Sequence, residues 1–175
     1  EESLANPYGS PSLEELCAGK KDIVIISSDH TRPVPSRVTM PILLHHIHAA
    51  APEARVRILV ATGMHRPSTH EELVDKYGEE IVANEEIVMH VATDDSMMKK
   101  IGTLPSGGEC IINKIAADCD LLLAEGFIEP HFFAGFSGSR KSVLPGIASY
   151  KTIMYNHNGQ FVNDSHSRAG NLCHN

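Results

Sequence analysis

Four short apolar runs recur along the chain, and a polar loop follows each of them. They span Asp22–Ser27, Val56–Ala61, Ile87–Val91 and Asp120–Glu125. Continuous β-branched and apolar runs are typical of strands buried on both faces of a parallel sheet. Between these runs, apolar residues return at helical spacing. This alternation predicts an α/β fold in a single domain, with a doubly wound, mostly parallel, Rossmann-like sheet flanked by helices.

Local signals predict where the helices begin. Ser12-Leu-Glu-Glu15 and Ser68-Thr-His-Glu71 have the pattern of a capping box, in which a hydroxyl and a carboxylate pair with free N–H groups at a helix start. A longer helix is predicted to begin near Val38, because Pro41 fits only in the first turn. The apolar positions in 109–117 predict another helix there.

The composition and charge of the chain limit the kinds of partner and cellular location that we expect. The chain has 175 residues, a net charge of −7 and no long basic patch, which argues against nucleic acid or an anionic membrane as a partner. No window approaches 18 apolar residues, so we expect a cytoplasmic protein. The four cysteines form no CxxC pair, and we expect them to be reduced, with Cys110 and Cys119 in or near the core.

Three loops that follow predicted strands are rich in functional groups. They carry Asp29 to Arg32, Gly63 to Arg66 and His131 to Lys141. Because the carboxyl ends of parallel strands meet at one edge of the sheet, these distant residues are expected to converge there. The third loop combines glycines, serines and an Arg-Lys pair, and it matches neither a Walker A loop nor GxGxxG. It is either an anion-holding loop or an ordinary Gly-rich turn with two solvated cations.

Several side chains in these loops have both a functional and a structural interpretation. His65 and His131 would act as alternate acid and base on one substrate, or each would cap a turn or pack on phenylalanine. Arg32 would bind a substrate carboxylate, or form an ion pair with Asp29. Lys141 is either a solvated lysine or a point of covalent attachment.

His157 is a candidate metal ligand, but the chain has no HExxH spacing, and no HxH spacing includes His157, so no zinc site is completed around it. A metal here would need ligands from a cofactor or another segment. Two alternatives therefore stay open beside a redox enzyme. One is a phosphate- or nucleotide-binding module without a redox role, and the other is a metal-dependent hydrolase that uses His65, His131 and His157 together.

Three motifs carry a resemblance to a known family. They are Asp29-His-Thr-Arg-Pro33, Ala61-Thr-Gly-Met-His-Arg-Pro67 and the stretch from Glu129 to Gly146, with Asn156-His157 behind them. Over roughly Asp22 to His157 the sequence resembles the nickel-dependent lactate racemases. The resemblance implies an isomerase that inverts the α-carbon of lactate or a similar 2-hydroxy acid. It also implies a nickel-pincer cofactor, a pyridinium-3-thioamide-5-thiocarboxylic acid mononucleotide, to which a hydride is transferred and from which it returns.

The resemblance assigns roles residue by residue. It implies that His65 and His131 are the acid/base pair at the 2-hydroxyl and that Arg32 contacts the substrate carboxylate. The remaining roles concern the cofactor: a thioamide link at Lys141, a nickel ligand at His157, a polar contact at Asp29, and a phosphate site at Ser137 and Gly138.

Two departures from the family pattern matter. Ser139 stands where the family usually has glycine, and nothing in the chain corresponds to the family's second domain. We therefore expect a cofactor-binding N-terminal domain over 1–157, and an extension over 158–175 that leads towards an absent second domain. The expected partners are a small 2-hydroxy acid, that C-terminal domain and the cofactor maturation enzymes. We expect negligible racemization by this chain alone, and the sequence does not distinguish lactate from malate, glycerate or larger hydroxy acids.

Overall fold

A parallel four-stranded sheet forms the centre of the molecule, which is described here by a computed structural model for residues 2–138 and 140–173. The strands are β1 Asp22–Ser28, β2 Arg55–Ala61, β3 Glu86–Met89, β4 Met98–Thr103, β5 Glu109–Asn113, β6 Leu121–Ala124, β7 Pro130–His131 and β8 Gly135–Phe136. The helices are α1 Glu2–Ala5, α2 Leu13–Cys17, α3 Ser36–Ala50, α4 His70–Tyr77, α5 Glu79–Asn84, α6 Lys114–Asp118, α7 Arg140–Val143, α8 Tyr150–Asn156 and α9 Gly159–Val162.

The sheet has the order β3-β2-β1-β6, and every pairing in it is parallel. This order corresponds to the first four strands of a doubly wound sheet. The central strand β1 pairs Ile25 with Ile58 on one side and with Leu123 on the other. The predicted fold class is confirmed, and all four predicted strands are present. Their carboxyl ends lie along one edge of the sheet.

Helices α2 to α5 cover one face of the sheet. There α3 buries Met40, Leu44 and Ile47, as its apolar spacing predicts. Helix α3 begins at Ser36, two residues before the predicted start near Val38, so Pro41 lies inside the helix and not in its first turn. The Ser36 hydroxyl donates to the buried Glu125 carboxylate. This tertiary contact holds the first turn, and the local pattern gave no sign of it.

A β-hairpin, α6 and the segment around Ile147 cover the other face. The helix predicted over 109–117 is wrong in its first half, since Glu109–Asn113 forms β5 and only Lys114–Asp118 is helical. The apolar residues of β5 fit either period, but β5 pairs with β4 on one side. On its other side, the Asn113 N–H donates to the Ile147 carbonyl at 2.8 Å. Non-local pairing therefore decided the conformation.

One of the two predicted capping boxes is displaced by one residue. The box from Ser12 to Glu15 is confirmed. At α4 the cap is Thr69, which exchanges hydrogen bonds with Glu72, while the Ser68 hydroxyl contacts His30 instead. All four cysteines are free. Cys110 and Cys119 pack against the buried apolar residues on the hairpin side of the sheet, as predicted. Within 2–138 and 140–173, no helix combines the length and apolar character needed to cross a membrane.

Candidate active site

A cavity of about 310 Å³ lies at the carboxyl edge of the sheet, where the three polar loops meet. All eight predicted site residues line it: Asp29, Arg32, His65, His131, Ser137, Gly138, Lys141 and His157. The expected convergence of the loops is therefore observed. The individual roles of these residues stay predictions, and the contacts below describe what each side chain is able to do.

Backbone contacts hold the loops against one another. The Gly63 N–H donates to the Gly146 carbonyl at 2.9 Å, which joins the loop after β2 to the loop before α8. Gly146 cannot carry a side chain in this conformation, because a Cβ would lie 2.9 Å from the Lys141 carbonyl oxygen and closer still to that of Ser142. The motif glycines therefore shape the site through close backbone approach.

Asp29 and His65 form a contact between the loops after β1 and β2. The Asp29 side chain is buried, at 2% exposure, and its Oδ2 lies 2.6 Å from His65 Nδ1. The other carboxylate oxygen accepts hydrogen bonds from the Thr31 hydroxyl at 2.6 Å and the Thr31 N–H at 3.1 Å. Asp29 thus holds the orientation of the half-exposed imidazole, as carboxylates do for histidines in many enzymes.

His131 is held by its own loop. Its Nδ1 accepts the N–H of Ala134 at 3.2 Å and that of Phe133 at 3.5 Å. The ring stacks on Phe132 with centroids 4.6 Å apart. Burial, followed by the nearby charges of Lys141 and Arg32, lowers the pKa of His131. The imidazole is therefore biased towards its neutral form.

Lys141 is half-buried in the same cavity. Its Nζ lies 5.7 Å from the centroid of the Phe133 ring. Burial, together with the charge of Arg32, lowers the pKa of Lys141 to about 8. With this pKa, about a tenth of the amine is unprotonated at pH 7, and the unprotonated amine is the form that acts as a nucleophile.

His157 ends α8 with its ring beside Phe133, at a centroid distance of 5.3 Å. Its Nδ1 lies 3.2 Å from the Ile153 carbonyl oxygen, so this nitrogen carries the proton and Nε2 keeps its lone pair. Burial also lowers the pKa of His157. A neutral imidazole with a free Nε2 is the form that binds transition metals.

No three His, Cys, Asp or Glu side chains of the described part of the chain are grouped so that they could hold a metal ion. The three-histidine centre of the hydrolase alternative, with His65, His131 and His157 as joint ligands, is therefore not formed among these residues. A metal bound through His157 would need its other ligands from elsewhere, as the sequence also indicates.

Arg32 is exposed at the mouth of the cavity. The alternative ion pair with Asp29 is not formed, because that carboxylate bonds to Thr31 and His65 instead, and the Arg32 N–H donates to the Asp29 carbonyl at 3.3 Å. The Arg32 charge nevertheless acts on the cavity, since it contributes to the lowered pKa of both Lys141 and His131. This arrangement suits an anionic ligand.

The predicted phosphate loop is braced internally. The Ser137 hydroxyl donates to the Phe127 carbonyl at 2.7 Å and accepts the Glu129 N–H at 3.0 Å, so it already has partners within the loop. Gly138 has φ +73°, and a Cβ there would lie 2.9 Å from the Phe127 carbonyl oxygen. Ser139, where the family pattern usually has glycine, lies outside the described residues.

Two cavity residues outside the predicted set make several contacts within the site. Phe133 contacts the rings of His131 and His157 and the amine of Lys141, so it joins three of the predicted groups. Glu125 is buried at the end of β6. Its carboxylate accepts hydrogen bonds from three hydroxyls, those of Ser27, Ser36 and Thr39. The signal available for Glu125 was its position directly after an apolar strand; Phe133 was visible only as a neighbour of His131.

Comparison with known proteins identifies related chains. A family model described as the lactate racemase N-terminal domain matches residues 1–170. A lactate racemase of Lactiplantibacillus plantarum is 73% identical over 175 residues, which cover 100% of this chain and 41% of that protein. A lactate racemase of Thermoanaerobacterium thermosaccharolyticum is 55% identical over 173 residues, or 99% of this chain and 41% of that protein. The chain thus spans about two fifths of the length of these curated relatives.

Solved structures agree with these relatives. The lactate racemase apoprotein from T. thermosaccharolyticum matches with a TM-score of 0.96 at 55% identity, over 98% of this chain and 41% of that one. A crystal structure of a Thermotoga maritima protein matches with a TM-score of 0.75 at 22% identity, over 90% of this chain and 42% of that one, which shows a shared fold. Because the family model covers nearly the whole chain, the chain belongs to the lactate racemase N-terminal domain family.

Proposed function

We propose that this chain is the cofactor-binding part of an isomerase that racemizes lactate or a similar 2-hydroxy acid. The observation that carries the proposal is the shared cavity, which brings together two imidazoles, a guanidinium and a half-buried amine of lowered pKa. The names of the relatives supply the reaction class. Since those relatives are more than twice as long, the activity is assigned to the whole protein and not to this chain alone.

The cavity residues fit a tethered nickel-pincer pyridinium mononucleotide. Lys141 would be the point of attachment, because its amine is half-buried and readily unprotonated. His157 would be the protein ligand to nickel through Nε2, and the cofactor's own soft donors would complete the coordination. The loop around Ser137 and Gly138 would hold the cofactor phosphate through its backbone, since the Ser137 hydroxyl is already bonded within the loop. The chemistry that this cofactor supplies when bound is acceptance and return of a hydride.

The remaining residues act on the substrate. Arg32 binds the carboxylate with its planar guanidinium and places the 2-hydroxyl inside the cavity. His65 and His131 would act as the acid/base pair that removes and returns the proton of the 2-hydroxyl. Asp29 keeps the His65 ring in place. Both imidazoles line the cavity, so each would contact the 2-hydroxyl of a substrate that Arg32 holds.

A second domain would complete the site. Apolar side chains stand exposed around the cavity, including Phe127 at 47% and Phe132 at 76% exposure, and we propose that the C-terminal domain covers them. We assign residues 1–157 to the cofactor-binding domain and 158–175 to the connection towards that domain. The Gly170 N–H donates to the Gly135 carbonyl at 2.9 Å, so this connection would pass along the loop proposed to hold the cofactor. Without closure, water enters the site, and we expect negligible racemization by this chain.

The attachment is tested by intact mass of the full-length protein produced together with the cofactor maturation enzymes. We expect a covalent adduct that maps to Lys141 and disappears in Lys141→Ala. Lys151→Ala is the matched control, because Lys151 is an exposed lysine of α8 that pairs with Glu109, and it should keep the adduct. An unmodified Lys141 together with reversible nucleotide binding would favour the phosphate-binding alternative instead. Full activity of Lys141→Ala with added metal would favour the hydrolase.

A further inference from the structure

We propose that the fold presets the two imidazoles in opposite neutral tautomers, with the proton of His65 on Nδ1 and that of His131 on Nε2. Asp29 is the positioning residue that sets the first of these. The catalytic meaning of this arrangement depends on the function proposed above, but the tautomers themselves are a property of the chain without cofactor.

The tautomer of His65 follows from the hydrogen bonds of Asp29. A carboxylate only accepts hydrogen bonds, so a ring nitrogen 2.6 Å from Asp29 Oδ2 must be the donor. The opposite oxygen is occupied by two donors from Thr31, which hold the buried carboxylate in one orientation. His65 Nδ1 therefore carries the proton. Nε2 is left as the basic nitrogen of a ring that lines the cavity.

The tautomer of His131 follows from the opposite kind of partner. A backbone N–H only donates, so the N–H groups of Ala134 and Phe133 require a lone pair on His131 Nδ1. The neutral ring must then carry its proton on Nε2. Gly135 supports this geometry, because its φ of +79° lets the chain turn back tightly between β7 and β8. The Phe132 ring stacks on one face of the imidazole at an interplanar angle of 20°, which restricts rotation of the imidazole.

The two nitrogens that remain available are complementary to one hydroxyl group. A 2-hydroxyl would donate its hydrogen to His65 Nε2 and accept a hydrogen bond from His131 Nε2–H. If the bound cofactor oxidises C2 of the substrate, the O–H bond would break with its proton passing to His65 Nε2, and the carbonyl oxygen so formed would accept a hydrogen bond from His131 Nε2–H. The resulting imidazolium of His65 stays paired with the Asp29 carboxylate, so no hydrogen bond is lost in this step. His131 would have to release two backbone donors before it could take up a proton on Nδ1.

Long-range ¹H–¹⁵N NMR of the histidine-labelled chain without cofactor tests this directly, at a pH about two units above the ordinary imidazole pKa of about 6.5. His65→Gln and His131→Gln assign the two rings. We expect an unprotonated-type ¹⁵N shift on Nε2 of His65 and on Nδ1 of His131. Asp29→Asn should abolish the preference in His65 and leave that of His131 unchanged.

The chain offers a matched control in an exposed Asp–His pair. Asp164 Oδ1 lies 2.9 Å from His166 Nδ1, so Asp164→Asn removes the same kind of contact away from the cavity and should leave both active-site rings unchanged. The proposal is overturned if unaltered protein shows His65 with its proton on Nε2, or His131 with its proton on Nδ1. It is also overturned if folded Asp29→Asn keeps the original His65 pattern. Since the measurement needs no cofactor, failure of cofactor attachment to Lys141 would count against the proposed function and not against the tautomers.

Discussion

Replacing Gly108 with alanine should destabilise the protein by forcing apart the β4–β5 hairpin and α8. A Cβ at Gly108 would lie 2.7 Å from Cγ of Tyr155 and closer still to two other ring carbons. Because Cγ is the first atom of the ring, rotation of the ring about its own axis cannot relieve the overlap. Either the whole Tyr155 side chain or α8 must move. Both movements disturb the hydrogen bond from the Tyr155 hydroxyl to the Ser106 carbonyl.

The magnitude follows from these two losses. Overpacking of this kind costs about 1–3 kcal/mol, and the hydrogen bond contributes about 1 kcal/mol net. Since each kcal/mol shifts the Tm of a domain of this size by about 2–4 °C, we expect a fall of roughly 5–15 °C in Tm. The helix that moves carries His157 at its end, so the site is disturbed as well.

Thermal and denaturant unfolding of four variants decides the matter. Gly102→Ala is the control within the same hairpin, because nothing lies within 4 Å of a Cβ there, and its effect should stay within about 0.5 kcal/mol. In a double-mutant cycle, Gly108→Ala should cost far less in a Tyr155→Ala background, where the overlapping ring is gone. A Gly108→Ala protein as stable as Gly102→Ala would refute the packing argument.

Three further predictions concern groups with unusual surroundings. In protein without cofactor at pH 7, brief treatment with an acylating reagent should modify Lys141 ahead of the exposed Lys151, as measured by peptide mass mapping. The reason is that a pKa of about 8 gives Lys141 a neutral fraction about a hundredfold or more above that of an ordinary lysine. Equal labelling of the two lysines would contradict this. Burial lowers the pKa of His90, whose Nε2 bonds to the Ala148 carbonyl at 2.9 Å. Its contribution to stability is therefore complete above about pH 6.5 and is lost as the pH falls below that value, so urea midpoints of His90→Asn should vary less between pH 7 and pH 5 than those of the unaltered protein. Glu125→Gln should lower the free energy of unfolding by about 2 kcal/mol or more, because hydroxyls donate to both carboxylate oxygens and the NH2 end of an amide cannot accept a hydrogen bond. An unchanged urea midpoint would show that the carboxylate is not needed.

The fold was predictable because its strands are buried on both faces. A strand such as β1, in which five consecutive residues are buried, needs a continuous apolar run that few other structures require. The hairpin strand β5 was not predictable in this way. Its apolar residues are followed directly by those of α6, and the combined pattern fits a helix as well as a strand. What distinguishes them is pairing with the preceding strand β4 and with the segment at Ile147, which lies far along the chain from β5.

The site was predictable as a location and not as a set of contacts. Position after a parallel strand is enough to bring Asp29 and His65 to one edge, although 36 residues separate them. The identity of the nitrogen that faces the carboxylate depends on how two loops pack, and no spacing rule contains that information. The same limit explains why Ser137, a plausible phosphate contact by type, has a hydroxyl already bonded to Phe127.

The hydrogen-bond partners of the two imidazoles decide which ring nitrogen carries the proton, and therefore whether each ring acts as a donor or an acceptor. Two histidines with identical surroundings would adopt the same tautomer. A hydroxyl group between them would then meet two acceptors or two donors. Here one ring faces a buried carboxylate and the other faces backbone N–H groups, so the sheet edge supplies one acceptor and one donor from the same residue type. The difference arises because Asp29 follows a buried strand, whereas His131 begins a tight two-stranded turn. With the proposed tautomers, the site begins from an asymmetric resting state, and Asp29 sets the tautomer of one of its two rings.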